Sequence, residues 1–163
     1  MQITDKVLNI LQSISGIKTV IHDNAFSTNV RLDRRLTPAA ILFMLQEFTV
    51  NIKSGLRRDS VELEVLICDR VDLAAKGEVV DNTLNNLLPI VNDFIALVLD
   101  EKSWVVEGDT INIKVAYGKF DTNVCGYSIE LKLTEKQGHC LEYTPPTPPP
   151  IQGVQGVQGI QNA

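Results

Sequence analysis

Hydrophobic positions fall into two periods along this chain, and each period predicts its own elements. Val7, Ile10, Leu11 and Ile14 recur at helical spacing, with Thr4 placed as N-cap, Ile3 and Leu8 as a staple across the start, and Gly16 as the stop. A short amphipathic helix is predicted there. Val20 and Ile21 sit at the centre of residues 18–22, a predicted strand that leads into a polar loop over residues 23–35. The run AAILFMLQEF, residues 39–48, is apolar enough for a buried strand or a helix by periodicity alone. Ser54-Gly55 downstream, and then the alternation of Val61, Leu63, Val65 and Ile67, favour a strand. Residues 51–60 then read as a basic hairpin loop between two adjacent strands.

Between residues 77 and 99 the positions Val80, Leu84, Leu87, Leu88, Val91, Phe94, Ile95 and Val98 keep a 3.6-residue period, which predicts the main helix. Pro89 removes a backbone donor and crowds the carbonyl of Asn85, so a bend or interruption is expected there. Two alternating sets close the pattern, Ile111, Ile113, Val115 and Tyr117, then Tyr127, Ile129, Leu131 and Leu133, joined by a hairpin loop over residues 118–126. The predicted order is α-β-β-β-α-β-β. The fold class is α+β, a mostly antiparallel sheet with both helices packed on one face, which would bury each of these stripes.

The pattern changes at Thr144. Pro145, Pro146, Pro148, Pro149 and Pro150 favour extended polyproline II, and Gly153, Gly156 and Gly159 then recur every third residue in GVQGVQGIQ. The spacing is collagen-like. Three proline-free triplets are too few to hold a triple helix alone, so an extended peptide lying on a neighbour is the competing reading. Residues 1–143 are therefore assigned to one α+β domain and residues 144–163 to a Pro-rich extended tail.

Composition narrows the function classes. A chain of 163 residues with net charge -5 fits one domain able to bury a core without disulfides or metals, and lacks the basic excess that phosphate binding uses. No eighteen apolar residues follow one another and no basic segment opens onto an apolar run, so a soluble protein made in the cytosol, with no membrane contact, is expected. Cys68, Cys125 and Cys140 form no CxxC pair and are expected reduced, with Cys68 a core residue.

Candidate chemistry is sparse. His22 and His139 have no nucleophile at catalytic spacing, and the neighbours His139 and Cys140 point to opposite sides of an extended chain. Glu62 and Glu64 share one face of a strand, which suits an acid/base pair but fits the solvated face of a half-buried sheet better. Asp69 and Asp72 lack the ligand density of a calcium loop, and no phosphate-cradling glycine motif is present. No catalytic, cofactor or metal residue is assigned. The informative polar features are two basic clusters, Arg31, Arg34 and Arg35 in one loop and Lys53, Arg57 and Arg58 in another. They are either solvated loop charge or contacts for carboxylates of an adjacent copy.

The order of elements and three segments, TPAAILFML, VELEVLICDRV and VVDNTLNNLLPIVNDF, resemble the tail-terminator or tail-completion proteins of tailed bacteriophages. The likeness spans most of residues 1–134 and rests on hydrophobic patterns. It implies a structural virion subunit, not an enzyme, that packs head to tail into a ring at the head–tail junction after assembly in the bacterial cytoplasm. It further implies contacts with other neck or tail proteins, with edge strands and basic loops as contact surfaces and DNA only as passing cargo. On that reading the tail, with Pro148, Gly153, Gly156 and Gly159, reaches a neighbouring component. The Pro-rich, Gly-repeat ending departs from the compact ending usual in that family. Within the structural class a head-to-tail connector is the rival; in another class, a small trimeric ligand-binding or surface-attachment module with a collagen-like end.

Overall fold

The computed structural model describes residues 2–24, 35–43, 47–53, 55–72, 74, 76–108, 110–117 and 123–140. Helix α1 (Gln2–Ser13) precedes strands β1 (Thr19–Asp23), β2 (Ala39–Phe43), β3 (Glu47–Lys53) and β4 (Leu56–Arg70). Helix α2 (Gly77–Asp100) follows, then β5 (Trp104–Val106), β6 (Asn112–Tyr117), β7 (Val124–Glu135) and the two-residue β8 (His139–Cys140). The class is α+β as expected. The order differs from the expected one by an extra strand, β3, before α2 and by the short β5 and β8.

Strand β4 is the spine of the sheet, whose path runs β1-β2-β4-β7-β5. Along one edge β4 pairs β2 near its end and β3 near its start; along the other it pairs β7 from Ser60 to Arg70 and β8 at Leu56 and Arg57. Strand β6 pairs the outer edge of β7. All pairings are antiparallel except β1 with β2, so the sheet is mixed.

Both helices cover one face. Alternation aims Val61, Leu63, Val65 and Ile67 of β4 and Ile129, Leu131 and Leu133 of β7 at them, into one cluster with Val7, Leu11, Leu87, Val91, Phe94 and Val98. Trp104 closes the end of that core, 2% exposed, its indole Nε1–H donating to the Val98 carbonyl at 2.9 Å. On the opposite face Ile21, Ala39, Ile41, Phe43, Leu66, Cys68 and Val124 make a second, smaller cluster. Burial on both faces is why β2 reads as an unbroken apolar run.

Gly126 is required where β7 crosses Cys68 of β4. A Cβ there would stand 2.1 Å from the Ile67 carbonyl oxygen and 2.6 Å from the Cys68 Cα, closer than any side chain tolerates. Gly55 turns the β3–β4 hairpin at φ 77°, a left-handed conformation open to glycine.

Four expectations need correction. Thr4 is not the N-cap: α1 already runs from Gln2, so Ile3 joins the buried stripe instead of a staple, and Thr4 is buried inside the helix. Its hydroxyl finds no described partner. Pro89 does not interrupt α2, which is continuous from Gly77 to Asp100 with Pro89 on its exposed side. Residues 51–60 are not a loop, because β3 and β4 extend through them to a tight turn at Gly55. The stripe at β6 is buried only in part: Ile111, just ahead of the strand, packs against the main cluster, but Ile113, Val115 and Tyr117 are 43%, 47% and 60% exposed, since neither helix reaches over that edge.

Candidate assembly surfaces

The clearest departure from a closed core is at the two flanks of the sheet. Every residue of β3 is exposed. Its register, Phe48 opposite Val61, Val50 opposite Asp59 and Ile52 opposite Arg57, places Phe48, Val50 and Ile52 on the helix-bearing face, beyond the cover of either helix. On the far flank Ile113 lies opposite Ile129 and Val115 opposite Tyr127, so the β6 stripe also stands on the helix-bearing face. Two apolar strips therefore face water on the same side of the sheet, one at each end. Contiguous exposed apolar surface of this kind marks an interaction site more often than a scatter of single residues does.

The basic residues expected in loops divide among these surfaces. Lys53, Arg57 and Arg58 are strand positions, and alternation splits them between faces. Arg57, on the apolar face, is already engaged: Nε and Nη2 donate to the two Asp59 carboxylate oxygens at 2.6 and 3.0 Å, and the guanidinium lies 5.7 Å from the Phe48 ring centroid. Lys53 and Arg58 fall on the other face, where with Asn51, Leu56 and Thr134 they line a cleft of about 470 Å³. Neither makes an ion pair among the described residues. Arg35 is exposed just before β2, and its backbone carbonyl accepts a bond from Arg70 Nη2 at 3.3 Å. Arg31, Arg34, Pro148, Gly153, Gly156 and Gly159, with the whole tail from residue 144, lie outside the described residues.

The carboxylates of the helix-free face are committed to partners. Lys132 Nζ is 3.0 Å from Glu62 Oε1 and 3.7 Å from Glu107 Oε2; Lys114 Nζ is 2.5 Å from Glu130 Oε1. Ser128 donates to Glu64 Oε1 at 2.6 Å, while Ser60 and Thr134 both donate to Glu107 Oε1. The hydrogen bond from Thr134, with the bond from Ser60 and the charge of Lys132, holds the Glu107 carboxyl below the usual carboxylate range against a smaller opposing effect of burial. A general acid needs the reverse shift. The paired glutamates belong to a cross-strand ladder on the helix-free face, half-buried and bonded rather than fully solvated.

The thiols tell a similar story. Burial, aided by the Asp69 charge and the neighbouring Cys125, pushes the Cys68 thiol up to about 12, and burial raises Cys125 too. Both are free and buried, so neither supplies a thiolate near neutral pH. No cluster of three or more His, Cys, Asp or Glu suited to a metal ion occurs among the described residues. Nor is any helix among them long and apolar enough to cross a membrane.

Sequence reasoning missed the β3 strip although its signal was present. Phe48, Val50 and Ile52 alternate with Glu47, Thr49, Asn51 and Lys53 up to a glycine turn, the pattern of a hairpin strand. No protein-family model matches the chain, and no curated protein matches it significantly.

Proposed function

We propose that this chain is a structural virion subunit of a tailed bacteriophage, a tail-terminator, tail-completion or neck-ring protein that assembles with copies of itself at the head–tail junction. The observation that supports this most is the pair of exposed apolar strips, β3 and β6, at opposite flanks of the sheet. A subunit with two different sticky flanks joins head to tail, and cyclic symmetry closes such contacts into a ring. The likeness in element order and in three apolar segments gives the reading its biological setting.

In this role the subunit performs no chemistry. Its net charge of -5 keeps the wall of a ring from holding DNA phosphates, so DNA passes as cargo without base-specific contact. Arg31, Arg34 and Arg35, together with residues 144–163, serve contacts with neighbouring neck or tail components.

Electron microscopy of the purified chain tests the proposal. Rings of uniform diameter with a central opening are expected at micromolar concentration. A monomer at every concentration, or a trimer that disperses when residues 144–163 are removed, would overturn it in favour of an attachment module.

A further inference from the structure

We propose that the ring contact is strand addition: the free edge of β3 in one copy pairs with the free edge of β6 in the next, continuing one sheet from subunit to subunit. This rests on the ring reading above and specifies its contact.

Among the described residues β3 bonds only to β4 and β6 only to β7. Each therefore presents an outer row of N–H and C=O groups with no described partner, and the two rows lie at opposite flanks because β4 and β7 stand between them. The strands match in length, seven residues against six. Their side-chain parity matches as well. Phe48, Val50 and Ile52 share the helix-bearing face with Val61, and Ile113, Val115 and Tyr117 share it with Ile129 and Tyr127. A sheet continued with its helices on one side thus sets both apolar strips next to each other, which a slip by one residue would destroy.

Helix α2 supplies the flank of this seam. Its Ile90 side chain reaches the Gly16 turn after α1, and its Leu97 shares a cleft with Ile10, so one side of α2 belongs to α1. The opposite side carries Asp81, Leu88, Ile95 and Leu99 at helical spacing, and Leu99 shares a cleft of about 460 Å³ with Ile111, just ahead of β6. Leu88 and Leu99 are 42% and 59% exposed, apolar surface that an added strand would help cover.

The test uses the full chain and two double variants, Val50→Glu with Ile52→Glu on β3, and Ile113→Glu with Val115→Glu on β6, read by native mass spectrometry. All four positions are exposed, so circular dichroism should be unchanged. Each variant alone should assemble on the order of a hundredfold more weakly than the unaltered chain. Mixed together they should form a one-to-one dimer and nothing larger, because each partner keeps the flank the other lacks. If either glutamate variant misfolds, threonines at the same positions keep strand preference and should weaken assembly about tenfold. An unaltered chain that forms rings while neither variant changes them overturns strand addition and leaves the ring reading standing. A β3 variant that blocks assembly, with no dimer on mixing, shows β3 pairing with itself and overturns the proposal equally. So does dispersal by removal of residues 144–163 with no effect of the four glutamates. A monomeric unaltered chain overturns the ring reading and this contact together.

Discussion

The two halves of β4 are one continuous strand with two different fates. From Val61 to Cys68 every apolar residue is at most 3% exposed, clasped between the helices on one face and the small second cluster on the other. At Leu56 and Arg57 the backbone is bonded to strands on both sides, yet Leu56 is 40% exposed and no helix lies over it. Hydrogen bonding in this sheet extends further than layer packing does. A strand with saturated backbone bonds and unburied apolar side chains is stable enough to fold and incomplete enough to bind.

The largest effect that sharpens this contrast is expected in the buried half's surroundings. Phe94→Ala removes a fully buried ring between α2 and β4 and should lower unfolding free energy by about 4 kcal/mol in urea denaturation. A loss below about 1 kcal/mol would mean that the core collapses onto the gap or was never tight. Next comes Gly126→Ala, which forces β7 away from Cys68 and should destabilise by about 3 kcal/mol although it adds only a methyl group. A neutral result there would deny the close crossing. Thr4→Val should go the other way, raising stability by about 1 kcal/mol, because it removes a buried hydroxyl without a described partner at nearly constant volume.

Smaller still is Ile52→Glu on the exposed half, expected within about 0.5 kcal/mol of the unaltered chain when measured on the monomer. A loss comparable to Phe94→Ala would show that β3 is covered within its own subunit. The mildest effect concerns acid. Because the folded Glu107 carboxyl titrates below its ordinary value, its contribution to stability is present above that value and is lost as pH falls through the depressed one. Its wide exposure to solvent keeps the contribution small. Glu107→Gln should flatten the acid limb of the stability profile slightly; an unchanged profile would remove Glu107 from the account.

Much of the fold was legible because burial and period coincide in it. The α1 and α2 stripes and the alternations of β4 and β7 name the residues that fill the main cluster. The misreadings arose where period and burial part. Ile113, Val115 and Tyr117 alternate faultlessly and stay exposed, since alternation reports a pleated strand and says nothing of what lies over it. Glu47 to Lys53 reads partly as the end of the preceding apolar run and partly as a basic loop, because polar residues on a strand's second face look like loop chemistry. Strand β5, three residues long, is too short to show a period, and its Trp104 is placed by a hydrogen bond to Val98 that no pattern announces.

The ladder between β4 and β7 has a bearing on how the chain reaches its native state. Leu63 pairs with Leu131, 68 positions later (131 − 63), with all of α2 between them. On the ribosome, the longest stretch of this sheet has to wait for more than a third of the chain to be made, and the early hairpin lingers with its greasy side bare. Such distant closures slow folding towards the millisecond-to-second range and give nascent copies time to meet one another.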